Sequence, residues 1–300
     1  MNSFTLPAFA KINWFLKILG RRDDDFHEIR TAFQTVSLRD NLHFSENDLI
    51  TLTCDVSDVP TDEGNLIIKA ANILREKFNV KKGARIHLEK KIPSPGGLGG
   101  GSSNAAVALI GLARLWQIEI SSNELLEIAS TLGSDVPFFL CGGTALGTGR
   151  GTEITPLEDL EENFLLIVTP DVSVSTARAF AQLNFPRLTK FSSKSILKLC
   201  RDKAGKQYLR QFEPENDFEE VVFKIEPEIE RVKKSLLKNG AKTALTSGSG
   251  ASVFAIFENE ETRQATIKAL ANEHRWRMFA VATVSRKKYR EKLKLFPISF

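Results

Sequence analysis

The sequence predicts an α+β protein made of two domains, and three observations support this. Its 300 residues, of which 42% are hydrophobic, suffice for two domains that each bury a core. Strand-like segments dominate the first half, whereas strands alternate with helices in the second. A new apolar, strand-like segment begins beyond Gly151. We therefore predict domains at residues 1–155 and 156–300.

In the first half, stretches rich in aromatic and aliphatic residues predict strands at residues 4–19, 29–38, 42–44, 50–54 and 85–92. Residues 20–25 have the composition of a turn. Apolar residues at helical spacing predict a helix over residues 65–78. An alanine- and leucine-rich stretch predicts a second helix over 105–116, and a third ends near 132 with Ser121 or Ser122 as its N-cap.

The second half opens with a predicted strand at residues 164–168, which a proline at 170 ends. Beyond it, periodicity predicts helices at 193–199, 228–237 and 261–272, and strands at 252–257 and 278–284. Basic residues crowd the last fifteen positions, and a solvated terminal helix or tail explains them better than a binding patch.

The composition fits a cytoplasmic protein that binds a small anionic ligand. A net charge of +4 is too small to indicate nucleic acid binding. Cys54, Cys141 and Cys200 are far apart and form no zinc-binding spacing, so we expect reduced thiols. We see neither a signal peptide nor an apolar run long enough for a membrane span. We expect a monomer or homodimer.

A glycine-rich loop between a predicted strand and a predicted helix is the strongest chemical signal. Five of the six residues 96–101 are glycine, and their N–H groups can converge on phosphate at a helix N-terminus. The spacing matches neither the Walker A pattern nor G-x-G-x-x-G. A purely structural turn rarely needs so many glycines. Ser102 and Ser103 can cap the helix, contact phosphate or Mg²⁺, or do both.

Four segments, in this order along the chain, resemble the motifs of the GHMP kinases. They are AKINWFL (10–16) with GRR (20–22) and FHEI (26–29), PSPGGLGGGSSNAA (93–106), GSDVPFF (133–139) and TSGSGASVF (246–254). The resemblance implies a two-domain GHMP kinase fold: an N-terminal domain like ribosomal protein S5 domain 2 and a ferredoxin-like C-terminal domain, with the active site between them.

The first segment resembles the branch of this family whose acceptor carries cytidine. The resemblance implies that the chain transfers phosphate from ATP, with Mg²⁺, to the 2-hydroxyl of 4-(cytidine 5'-diphospho)-2-C-methyl-D-erythritol. That reaction belongs to the non-mevalonate route to isopentenyl diphosphate and isoprenoids. The implied ATP-binding residues are Pro93, Ser94, Pro95, Gly96, Gly97, Leu98, Gly99, Gly100, Gly101, Ser102 and Ser103, with Gly248, Ser249 and Gly250 in the third motif.

The resemblance also implies catalytic roles for Asp135 and Lys11. Asp135 would be the general base that takes the proton from the acceptor hydroxyl. Lys11 would keep that carboxylate ionised. From the residues alone, an aspartate in this position is more often an N-cap or turn residue. Lys11 could lie at a strand edge with its ammonium reaching solvent.

Substrate contacts are implied for Asn13, Phe26, His27 and Phe180. Phe26 and Phe180 would stack on the cytosine, and His27 would bond its edge. Core packing is the alternative for Phe180. The family usually has Asp-Gly-Tyr-His where this chain has Asp24-Asp25-Phe26-His27, so a glycine and a hydroxyl are lost.

Three other functions stay open at this point. One is a homoserine or mevalonate type of GHMP kinase, although those acceptors have no base to stack on Phe26 and Phe180. A catalytically silent binding protein is the second, although it would be free to lose Lys11 or Asp135. Nucleic acid binding through the basic C-terminus is the third, and it predicts steep salt dependence without ATP turnover.

Overall fold

A computed structural model describes residues 3–183 and 214–294. Its first sheet contains β1 (Ser3–Arg21), β2 (His27–Asn47), β3 (Ile50–Cys54), β4 (Gly83–Glu89), β5 (Thr144–Thr148) and β6 (Glu153–Pro156). The strand order is β3-β4-β2-β5-β6, and β1 pairs with β2. The β3–β4 pair is parallel, whereas the other pairs are antiparallel.

A second, antiparallel sheet follows in the chain. It contains β7 (Leu165–Pro170), β8 (Thr243–Thr246), β9 (Val253–Ile256) and β10 (Trp276–Val281), in the order β10-β7-β9-β8. The mixture of sheets and helices confirms the predicted α+β class. Two sheets also fit the predicted division near residue 156, which stays a prediction.

The helices within the described residues are numbered here in chain order. They are α1 (Leu66–Lys77), α2 (Gly100–Leu115), α3 (Ser122–Leu132), α4 (Val136–Cys141), α5 (Thr176–Ala181), α6 (Glu219–Ile225), α7 (Pro227–Lys238), α8 (Glu260–Ala269) and α9 (Arg286–Leu293). The predicted helix at 193–199 lies outside the described residues, as does Cys200. No described helix has both the length and the apolar character required to cross a membrane.

The long β1–β2 hairpin connects the two halves of the molecule. Leu6 at one end of β1 packs in the core under α1 and α2, whereas Leu16 and Ile18 at the other end pack with the second sheet. Residues predicted as two strands, 29–38 and 42–44, form the single strand β2. Asp40 lies between the two predicted segments, but it is buried within the strand.

Helix α2 begins earlier than predicted, at Gly100 inside the glycine loop. Its N-cap is Gly99, whose φ of +68° favours glycine, and no side chain caps the helix. The interpretation of Ser102 and Ser103 as caps is therefore wrong, because both lie within the first helical turns. The predicted start at residue 105 was too late, because it relied on helix propensity, which disfavours glycine. Tertiary contacts stabilise the glycine-containing first turn.

The basic C-terminal segment forms α9, which packs on the first half of the molecule. Tyr289 and Leu293 are buried in the core that contains Leu6, and the Tyr289 hydroxyl donates to the carbonyl oxygen of Phe139. Lys287 and Lys288 on the same helix are exposed. This arrangement matches the predicted solvated terminal helix, with one apolar face turned inward.

Candidate active site

A cleft of about 1010 Å³ lies between the two halves of the molecule. Residues from the β1–β2 hairpin, both glycine loops and α5 line it. Half of the predicted site residues meet here: Lys11, Asn13, Phe26, His27, Gly97, Gly99, Asp135, Phe180, Gly248 and Ser249. Segments far apart in the sequence thus form one candidate active site.

Lys11 and Asp135 form an ion pair in this cleft, with 3.5 Å between Lys11 Nζ and Asp135 Oδ2. The Lys11 side chain is 4% exposed, whereas that of Asp135 is 32% exposed. Asp135 precedes α4 but makes no capping hydrogen bond, so its carboxylate is not used as an N-cap. The carboxylate can therefore meet a ligand while the ammonium beside it stabilises its charge.

A chain of hydrogen bonds fixes the position of Lys11. Its ammonium donates to Asn13 Oδ1 at 2.7 Å, and Asn13 Nδ2 donates to Thr31 Oγ1 at 2.8 Å. Thr31 in turn donates to the carbonyl oxygen of Phe15. The backbone N–H of Lys11 also donates to Leu98 O at 3.0 Å, which ties β1 to the glycine loop.

Burial lowers the pKa of Lys11 from its ordinary value of 10.5, and attraction to Asp135 offsets only part of that effect. A lowered folded-state pKa means that the unfolded chain binds more protons between the lowered value and 10.5. The free energy of unfolding therefore rises with pH across this window. The stabilisation of the folded state that comes from this pKa difference is complete above pH 10.5. It is lost as the pH falls through the lowered pKa of Lys11.

We expect this dependence to disappear in Lys11→Met. The free energy of unfolding of the wild type, minus that of the variant, should increase as pH rises toward 10.5, by at most about 1.4 kcal/mol per pH unit. Urea unfolding at a series of alkaline pH values measures the difference. Parallel curves for the two proteins would contradict the assignment of a lowered pKa to Lys11.

The two glycine loops are packed against each other. Ser247 Oγ donates to Gly97 O at 2.9 Å, and the backbone N–H of Ser252 donates to Gly96 O at 3.1 Å. Gly97 has a φ of +72°, and a Cβ there would lie 2.0 Å from Ser247 O. The third motif therefore supports the predicted ATP loop, and this contact leaves no space for a side chain.

The residues of the predicted ATP loop do not all face the same space. Pro93, Ser94 and Pro95 line a separate groove of about 440 Å³, together with Arg275 and Arg277. The cleft with the Lys11–Asp135 pair is lined instead by Gly97 and Gly99. The loop thus separates the groove from the cleft, and its prolines lie on the far side from the ion pair.

Aromatic rings occupy the other end of the cleft. His27 stacks on Phe180 with ring centroids 4.9 Å apart and an interplanar angle of 22°. Phe180 also meets Phe218 edge to face at 4.8 Å. Phe26 is 49% exposed, and the guanidinium carbon of Arg150 lies 4.0 Å from its ring centroid. These rings present a surface on which a planar group can stack.

His27 is suited to hydrogen bonding as a neutral ring. Burial lowers its pKa, and the positive charge of Arg21 lowers it further. A neutral imidazole offers one N–H donor and one nitrogen acceptor. His27 can therefore recognise both a donor and an acceptor on the edge of a base.

Several residues of the site were not predicted from the sequence. Thr31, Arg21, Arg150 and Phe218 line the cleft. Outside its lining, the buried Asn216 donates to the carbonyl oxygens of Thr246 and Gly248, at 2.7 and 2.8 Å, and so holds the third motif. Arg21 lies in the GRR part of the first motif, which could have indicated it, whereas the others have no local sequence pattern because their roles depend on contacts between distant segments.

Two family models match the chain: the GHMP kinases N terminal domain over residues 65–143 and the GHMP kinases C terminal domain over 197–275. The chain belongs to the GHMP kinase family. Together the matches cover the glycine loop, Asp135 and the third motif. The predicted GHMP kinase fold is thereby confirmed.

Curated relatives show which members of the GHMP kinase family this chain is similar to. A 4-diphosphocytidyl-2-C-methyl-D-erythritol kinase of Solibacter usitatus is 38% identical over 95% of this chain and 90% of its own. Another, of Mannheimia succiniciproducens, is 43% identical over 88% of this chain and 82% of its own. The resemblance to this branch, predicted from residues 10–29, is confirmed.

Solved structures agree with the sequence relatives. A crystal structure of 4-(cytidine 5'-diphospho)-2C-methyl-D-erythritol kinase superposes with a TM-score of 0.75 at 31% identity, over 93% of this GHMP kinase and 99% of that chain. Homoserine kinase of Cytophaga hutchinsonii gives 0.68 at 20% identity, over 96% of each chain. The latter likeness shows the shared fold alone.

Proposed function

We propose that this GHMP kinase phosphorylates the 2-hydroxyl of 4-(cytidine 5'-diphospho)-2-C-methyl-D-erythritol with ATP, giving the 2-phosphate and ADP. The product is an intermediate of the non-mevalonate route to isopentenyl diphosphate and isoprenoids. The observation that carries the proposal is a single cleft with the Lys11–Asp135 pair and the rings of Phe26, His27 and Phe180. The named relatives support the same acceptor.

The Lys11–Asp135 pair supplies the groups needed at the acceptor hydroxyl. Asp135 accepts the hydroxyl proton as the oxygen attacks the γ-phosphorus of ATP. The Lys11 ammonium, 3.5 Å from the carboxylate, stabilises the ionised base and the charge of the migrating phosphoryl group. Asn13 holds Lys11 in place through their 2.7 Å hydrogen bond. Each residue therefore has a defined task.

The glycine loop binds the ATP phosphates at the start of α2. Backbone N–H groups at residues 99–101 and the dipole of a 16-residue helix attract anions. Lys11 lies beside this loop, since its N–H donates to Leu98 O, and a bound ATP can therefore place its γ-phosphoryl group near the Lys11 ammonium. This contact relates the phosphate-binding loop to the reacting centre.

The residues present fit a Mg²⁺ ion that arrives with ATP. Such an ion keeps waters and phosphate oxygens as ligands and needs few from the protein. No cluster of three or more metal-binding side chains exists among residues 3–183 and 214–294. A Cβ at Gly133 would lie 3.9 Å from Ser102 Oγ, so that hydroxyl is close to the segment that carries Asp135. Ser102 would contact the ion, which would neutralise phosphate charge, and Asp135 stays free to act as the base.

The aromatic end of the cleft gives the acceptor its specificity. Phe180 and Phe26 offer ring faces to cytosine, and neutral His27 bonds the cytosine edge. Phe218 packs edge to face against Phe180 and fixes its ring. Acceptors without a base, such as mevalonate and homoserine, leave this surface unused. The rings therefore favour a cytidine acceptor over those of other GHMP kinases.

An acceptor panel tests the proposal. ADP release is measured with Mg-ATP and each of four acceptors: the cytidine compound, free methylerythritol, homoserine and mevalonate. We expect turnover only with the cytidine compound and a product phosphorylated on the 2-oxygen, as identified by phosphorus NMR. Turnover with homoserine or mevalonate would contradict the acceptor assignment. Nucleotide binding without turnover of any acceptor would indicate a silent binding protein.

Phe180→Ala should weaken acceptor binding selectively. Loss of one stacking face costs on the order of 1–3 kcal/mol per base, so KM for the cytidine compound should rise about tenfold or more. KM for ATP should change little, because the Phe180 ring packs on His27 and Phe218 at the aromatic end of the cleft. Phe4→Ala, at a partly buried ring stacked on Phe44, is the matched control. Equal changes in both KM values would contradict a stacking role.

A further inference from the structure

Two buried carboxylates lie at separate points of strand β2. Glu28 is 1% exposed and pairs with Gly20 of β1, whereas Asp40 is 0% exposed and pairs with Ala8. Neither lines the cleft. Because burying a carboxylate is costly without compensating partners, the contacts of each one indicate what it stabilises.

Asp40 connects the two ends of the glycine loop. Its Oδ1 accepts the backbone N–H groups of Lys91 at 2.7 Å and Ile92 at 2.8 Å, directly before the loop. Its Oδ2 accepts Asn104 Nδ2 at 3.0 Å, directly after the loop. One carboxylate thus sets the separation between the strand that enters the loop and the helix that leaves it.

Asp40 also holds a buried cation beside the start of α2. Lys90 Nζ lies 2.9 Å from Asp40 Oδ2, and the Lys90 side chain is 7% exposed. A Cβ at Gly100, the first residue of the helix, would lie 3.1 Å from this ammonium. The pair places an ammonium beside the N–H groups that receive phosphate, and the carboxylate balances its charge. Asp40 therefore fixes the position of this ammonium as well as the shape of the loop.

Glu28 connects segments at the aromatic end of the cleft, as Asp40 does at the glycine loop. Its Oε2 accepts Arg22 Nη1 at 2.6 Å, and its Oε1 accepts the backbone N–H of Gly149 at 2.9 Å. Arg22 begins the turn that presents Phe26, and its N–H donates to Phe26 O at 2.7 Å. Gly149 precedes Arg150, which lies over the Phe26 ring. Glu28 therefore joins the two segments that form this part of the pocket.

We propose that the two carboxylates position the two substrates separately: Asp40 shapes the ATP loop, and Glu28 shapes the pocket for the acceptor base. Both are positioning residues, since neither reaches the cleft. The assignment of the acceptor side rests on the proposed function. The ATP side rests only on the contacts of the loop.

Asp40→Asn and Glu28→Gln test this proposal, and each is the matched control for the other. Both remove a buried charge while keeping the shape of the side chain. We expect Asp40→Asn to raise KM and Kd for ATP about tenfold, as loss of charged hydrogen bonds predicts, with KM for the acceptor nearly unchanged. Glu28→Gln should show the reverse pattern. Equal effects on both substrates would overturn the proposal.

Milder variants keep the test decisive if either protein folds poorly. Asn104→Ala removes one neutral partner of Asp40, and Arg22→Lys keeps a cation beside the buried Glu28 while changing its hydrogen bond. The same reversed pattern should appear with smaller changes. A merely structural role would instead lower the thermal midpoint and the active fraction while both KM values stayed the same. That result would overturn the proposal.

Direct binding measurements separate this proposal from the proposed function. Calorimetric titration gives Kd for ATP without any acceptor, and Kd for the cytidine compound without ATP. Absence of acceptor turnover in the wild type would defeat the proposed function, while the effect of Asp40→Asn on the ATP Kd would still decide the ATP side. The effect of Glu28→Gln on the cytidine-compound Kd decides the other side.

Discussion

Replacing Asp135 with asparagine is expected to lower kcat on the order of 10²-fold or more, because the acceptor hydroxyl loses the general base proposed for it. An amide of nearly the same shape keeps the volume but cannot take the proton. The side chain is 32% exposed and caps no helix, so the fold should tolerate the change. Initial-rate measurements of ADP release at saturating substrates give the effect on kcat.

Asp48→Asn provides the control for this variant. Asp48 is an exposed carboxylate that lines neither the cleft nor the groove beside Pro93. Its replacement should leave kcat within about twofold, as expected for a surface change that touches no reacting group. Retention of most of the wild-type kcat in Asp135→Asn would contradict the assignment of the base.

Replacing Gly97 with alanine is expected to separate the two glycine loops. The new Cβ would lie 2.0 Å from Ser247 O and 2.9 Å from Gly250 O, both backbone atoms that cannot move individually. The φ of +72° adds strain for any residue with a side chain. We expect the free energy of unfolding to fall by about 3 kcal/mol or more, with loss of measurable ATP binding.

Gly101→Ala is the matched control within the same loop. Gly101 lies in the first turn of α2, and a Cβ there would meet only Leu66 Cδ1, at 4.0 Å. Alanine favours the helix over glycine by roughly 0.5–1 kcal/mol, so the free energy of unfolding should stay the same or rise. Urea unfolding of both variants makes the comparison. Similar losses of stability in the two would contradict the packing argument.

Local patterns in the sequence predicted much of the fold. The helix over residues 65–78 is observed as α1, with Asn65 as its N-cap, and Ser121 caps α3 in a capping box. Short elements such as α4 and β8 were missed, since four to six residues carry too little periodicity. The division of β2 into two strands was wrong, because sequence alone cannot reveal that Asp40 is buried.

The candidate site was predictable only in part. The glycine loop is a local signal, and its phosphate chemistry follows from residues 96–101 themselves. Asp135 was identified through a motif, since nothing in its own neighbourhood distinguishes a base from a turn residue. Asp40 was not found, because its partners Lys90 and Asn104 lie 50 and 64 residues away. Such contacts exist only in the folded chain.

We propose that cytidine binding at the aromatic end of the cleft promotes phosphoryl transfer at the Lys11–Asp135 pair. An acceptor comparison tests this: kcat/KM for the cytidine acceptor is set against that for 2-C-methyl-D-erythritol 4-phosphate, which lacks the cytidine 5'-monophosphate unit. Binding energy from a remote group contributes to the reaction, so we predict at least a roughly 10²-fold loss for the truncated acceptor. Equal kcat/KM values for the two would contradict the claim.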